Sequence, residues 1–135
     1  MENFNDPNQS KSTKIIYWAT TGLLALFILP GIFFMNSPMA LEGTRNLGIP
    51  KWLHVEVGIA QFIGGLILII PIISARIKEW AYVGVGIVYL SALIGHLSVD
   101  GFIAMSLMPL VLFALLVISY IYFRKIYYPK RSFNK

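Results

Sequence analysis

The chain has no cysteine. Disulfides, thiolate metal sites and iron–sulfur ligation by its own side chains are therefore excluded, and any electrons it handles must travel on something it binds. Charge is scarce too: Asp, Glu, Lys and Arg make up 13% of 135 residues, too little to clothe a water-soluble domain of this size. Histidine occurs only as His54 and His96, not at the His-x-x-x-His spacing that suits haem or di-iron. There is no Gly-rich phosphate loop and no nucleophile elbow, so no nucleotide site is expected and no self-contained catalytic motif supports calling the chain an enzyme.

What the chain does have is apolar length. Ile15–Met35, Trp52–Ile73, Trp80–Val99 and Ile103–Phe123 are runs of about twenty residues each, and at ~1.5 Å per residue a helix of that length matches a bilayer's hydrocarbon core of ~30 Å. The hydrophobic fraction is 57% and the mean hydropathy +0.71. These figures predict an all-α protein with four transmembrane helices. The first run is longer than a signal-peptide core and follows a mixed polar tail, so it reads as a retained span.

The net charge of +5 follows the spans. Nine of the eleven Lys and Arg residues flank the first span, sit in the middle hairpin (Arg76, Lys78) or follow the fourth span; Arg45 and Lys51 alone occupy the first connection. By the positive-inside bias both termini are cytoplasmic, and the charge is for anionic headgroups, not nucleic acid. Three regions are expected: a disordered polar tail over residues 1–14, a membrane domain over 15–123, and a basic cytoplasmic tail over 124–135. Pro30-Gly31 predicts a kink in the first span, the turn residues of Asn36–Lys51 predict a short surface helix, and Glu79-Trp80 is expected to open the third span. Tyr17 and Trp18, and Tyr120, Tyr122, Phe123, Tyr127 and Tyr128, are expected at headgroup depth. Short loops give an antiparallel up-down-up-down bundle.

On the second span a helical projection gathers His54, Gly58, Ala60, Gln61, Gly64 and Gly65 on one arc, which should face other helices because small residues allow close approach. On the third, Tyr82, Tyr89, His96 and Asp100 form a polar-aromatic stripe. If that stripe turns toward the small arc, His54, Glu56, His96 and Asp100 converge near the outer end of the bundle. Two readings of this cluster stand: a structural one, with His96 and Asp100 closing a helix end as an ion pair, and a functional one, in which the pocket binds a headgroup, a quinone ring or a proton. Metal ligation is not expected, since His54 and Glu56 lie on different helix faces. Gln61, Tyr82 and Tyr89 read first as packing or hydrogen-bonding groups and second as pocket lining, and Arg45 as a solvated charge or a lid.

Leu47-Gly48-Ile49-Pro50, Ala60-Gln61-Phe62-Ile63-Gly64-Gly65, Ile70-Pro71, Lys78-Glu79-Trp80-Ala81-Tyr82-Val83-Gly84, and Ala92 followed by His96 together resemble the DoxX-like family of small bacterial membrane proteins over about residues 15–123. The Lys-Glu-Trp-Ala-Tyr-x-Gly string is the most specific part. The resemblance implies a four-helix protein of the bacterial inner membrane. The family takes its name from subunits associated with thiosulfate:quinone oxidoreduction, and other relatives are linked to oxidative-stress complexes or act as membrane chaperones.

Three functions follow as expectations. The first is an accessory subunit of a membrane redox process, binding a lipid-soluble molecule such as a quinone between the second and third spans. The second is a solute or proton pathway in a homo-oligomer, along a polar track through Gln61 and Tyr82. The third is a non-catalytic protein that stabilises a membrane partner through its small-residue stripes.

Overall fold

The structure, a computed structural model, describes residues 11–128. Six helical segments follow one another: α1 (Lys11–Ile28), α2 (Gly31–Phe34), α3 (Pro38–Asn46), α4 (Lys51–Ile69), α5 (Ala75–Val99) and α6 (Ala104–Tyr127). There is no strand among the described residues. Four helices are long and apolar enough to cross a membrane, the first being α1 and α2 together. α1 packs on α6 and α4, and α5 on α4 and α6, which closes a four-helix ring. The outward surface stays greasy, with Phe33, Ile72 and Phe102 all more than 80% exposed. Lipid is the solvent that suits such a surface.

Local chemistry sets the breaks. Pro30 has no N–H to continue the ladder, and α1 gives way to α2 at that point, as the sequence predicts. Ser37 caps α3, its hydroxyl accepting from the Ala40 N–H at 3.2 Å with Pro38 in the first helical position. Gly101 (φ 77°) takes the left-handed turn that joins α5 to α6.

Several boundaries depart from the sequence reading. α1 is already helical at Lys11, and the rest of the expected N-terminal tail lies outside the described residues. α6 continues through Tyr127, so the start of the expected basic tail is helix and residues 129–135 lie outside the described residues. α5 opens at Ala75, not at Glu79, because Ser74 caps it by accepting from the Ile77 N–H. α4 stops at Ile69, short of Ile73, because Ile70 precedes a proline and is extended (ψ 118°).

That early stop explains a buried cation. Pro71 cannot donate to the Ile67 carbonyl, which would otherwise be an orphan at an apolar helix end. Lys78 reaches back from α5 and its Nζ donates to Ile67 O at 2.9 Å and Leu68 O at 2.8 Å. Its side chain is fully buried, and its charge lies at the C-terminus of α4, the favourable end of that dipole. The neighbouring Glu79 accepts from Arg124 of α6 at 3.1 Å across an exposed surface.

The aromatic residues of the tail end do not all face outward. Tyr17 and Phe123 are fully buried and stack with Tyr82, Tyr120 and Tyr127 into one aromatic core. Aromatic rings shed more contact area inside the bundle than any other side chains, so a belt on one helix becomes core once α1 and α5 flank it.

Packing at the centre depends on α4. A Cβ on Gly65 would lie 2.9 Å from Ile28 Cγ2 and 3.1 Å from Leu29 Cδ2, whereas one on Gly84 would meet nothing within 4 Å. Gly65→Leu should therefore lose about 1–3 kcal/mol of stability, read by denaturant or thermal unfolding in micelles, and Gly84→Ala should be neutral. Lys78→Met strands two carbonyls and should lose about 1–3 kcal/mol in the same assay, while Arg124→Met, at an exposed pair, should change little.

Candidate binding site

Two polar systems lie within the bundle, at opposite ends. At the tail end Ser119 of α6 sits between Thr21 of α1 and Tyr82 of α5, with both hydroxyl–hydroxyl distances 2.7 Å. All three residues are buried, so three helices share one hydrogen-bonded chain. Tyr17 Oη is buried beside this chain and the Tyr127 hydroxyl without closing a bond of good geometry. The chain clamps helices together through bonds among its own groups, and Tyr82 also borders a separate, mostly apolar cavity of about 370 Å³ between α5 and α6.

The other system lies toward α3. His54, in the first turn of α4, directs its Nε2–H at the Met35 carbonyl, 2.6 Å away, and so satisfies an orphan carbonyl at the end of α2. In the neutral imidazole, with Nε2 as the donor, Nδ1 is left as an acceptor, and it has no partner among the described residues. Gln61 lies seven residues further, two turns along the same face of α4, and its amide likewise has no hydrogen-bond partner there.

Three cavities meet this face. The largest, about 570 Å³, opens between α4 and α5 beneath α3 and is lined by Thr44, Leu47, His54, Val57, Ser91 and Gly95 among others. A second, about 300 Å³, lies under the α1–α2 break and is lined by Gly31, Met35, His54, Gly58 and Gln61. A third, about 370 Å³, continues between α4 and α5 toward the tail end, with Ala60, Gln61, Gly64, Trp80 and Gly84 in its walls. His54 borders the first two and Gln61 the last two.

The four residues expected to converge separate into three places. His96 and Asp100 pair with each other at 2.9 Å, partly exposed, at the end of α5, and neither lines these cavities. Glu56 is exposed, because two residues on a helix turn it about 200° from His54. The Tyr82–Tyr89 face of α5 packs inward, Tyr82 bonding to α6, so the stripe does not meet the small arc of α4. What faces α4 is Gly84, Val88, Ser91 and Gly95. Tyr89 is core, and Arg45 is exposed on the last turn of α3. Tyr82 and Gln61 border different cavities, so the polar track imagined through both is broken. Among the described residues no three His, Asp or Glu side chains lie close enough to share a metal ion.

Sequence reasoning missed Thr21, Ser119 and the role of Lys78. The signals were present: isolated hydroxyls inside apolar runs, and a lysine seven residues beyond a helix-ending proline.

No curated protein and no solved structure matches the chain. Residues 18–119 match the model of the DoxX-like family, and with four apolar helices long enough to span a bilayer the chain is an integral membrane protein belonging to that family.

Proposed function

We propose that the protein binds a lipid-soluble quinone or quinol in the cavity between α4 and α5 beneath α3, as an accessory to a redox process of the bacterial inner membrane, with both tails on the cytoplasmic side. The observation that carries this reading is the pairing of polar groups in an otherwise apolar cavity of about 570 Å³. Nδ1 of His54 accepts, and so suits a ligand hydroxyl. Ser91 Oγ, with no partner among the described residues, donates, and so suits a ligand carbonyl. A quinone/quinol couple presents both groups on a flat apolar ring, which matches the general make-up of small-molecule sites. Cytoplasmic placement of the tails rests on the flanking Lys and Arg residues. With no cysteine in the chain, electrons would enter and leave on the ligand.

The test is tryptophan fluorescence of the purified protein in nanodiscs, titrated with menadione and with its reduced form. Saturable quenching is expected. Ser91→Ala should weaken binding of menadione, and His54→Ala that of the reduced form, each by about three- to tenfold, the loss of one modest hydrogen bond. His96→Ala, remote from the cavity lining, should bind like the parent. Quenching that never saturates, or that is indifferent to both His54 and Ser91, would overturn the reading.

A further inference from the structure

The cavity beneath α3 does not end at the ring-sized space around His54. It shares Val88 with the third cavity, which carries on between α4 and α5 as far as Ile77 and Trp80. From Gly95 to Ile77 the α5 wall covers nineteen residues, ~27 Å from end to end at helical rise and close to the full hydrocarbon thickness. α4 and α5 touch at its floor, where a Cβ on Gly64 would come within 3.0 Å of Val85 Cγ2. The walls above that floor are low, because Ala60, Gly84 and Ser91 are small and exposed.

Polarity along this trough is one-sided. Thr44, His54 and Ser91 stand at the α3 end; toward the tail end only Gln61 interrupts an apolar lining. A helix from another protein would have to insert an apolar surface beside the polar end as well, and a two-chain lipid would leave one chain outside a trough bounded by just two helices. We infer that the two cavities form one continuous groove for the single long apolar chain of an amphiphile, such as a polyprenyl tail, whose polar head rests at His54 and Ser91. This rests on the ligand reading above and adds the chemical class of the tail.

The consequence is a dependence on tail length that the ring alone cannot produce. The experiment compares menadione with a naphthoquinone of the same ring bearing a polyprenyl tail and a diazirine at its far end, in phosphatidylcholine nanodiscs, so that bulk two-chain lipid always competes. Labelling should saturate and should map to residues 77–88 of α5 and 60–67 of α4. Excess unlabelled tailed quinone should remove it. Gly84→Leu, where the added side chain meets open space, and Ala60→Leu across the groove should each reduce saturable labelling at least tenfold and leave menadione quenching as in the parent.

Labelling spread evenly over the lipid-facing helices, or unchanged in both leucine variants while menadione still binds, overturns the groove and leaves the ring site standing. If neither quinone binds saturably, both readings fall.

Discussion

In hydrocarbon there is no water to complete an unfinished helix end, and this constraint organises the bundle from its tail end upward. Pro71 ends α4 within an apolar stretch and deprives Ile67 O of its ordinary donor; Lys78 supplies the replacement from the next helix. One side chain thus settles the backbone of α4, neutralises its negative pole and fixes how far α5 slides along α4. With that offset set, Tyr82 falls level with Ser119, and Thr21 completes the link to α1.

The opposite end is held differently. There the first span breaks at Pro30, the short helix α3 packs on α4, and one hydrogen bond from His54 to Met35 ties α4 to the end of α2. α4 and α5 meet closely at Gly64 and Val85, and the open volume between the two helices lies over that contact and extends toward α3. The contrast in polar satisfaction is what separates scaffold from candidate site. At the tail end Thr21, Tyr82 and Ser119 bond to one another, whereas along α4 His54 and Gln61 line cavities.

Much of the architecture could be read from residue order, because the signals are local. Four apolar runs, a proline at each of the first four breaks, a glycine in the α5–α6 turn and the Ser-Pro start of α3 need no knowledge of neighbours. The candidate site was less legible, for the opposite reason. Helical projection puts Tyr82, Tyr89, His96 and Asp100 on one face, but cannot say whether that face meets α4 or α6. It meets the aromatic core, and this removes His96 and Asp100 from the cavities while leaving His54 and Gln61 beside them. Lys78 was misplaced by average behaviour: a lysine near a loop usually faces water, yet this one is fully buried.

Five members of the Lys78–Gly84 string have a mechanical task. Lys78 finishes another helix, Glu79 meets Arg124, Ala81 and Tyr82 are interior, and Gly84 keeps a trough wall low. A chain that shares these letters can therefore be expected to assemble in the same way, since the string marks a joint between helices, and any difference between such chains in what they bind would have to be written elsewhere, on the exposed edges of the gap that joint holds open.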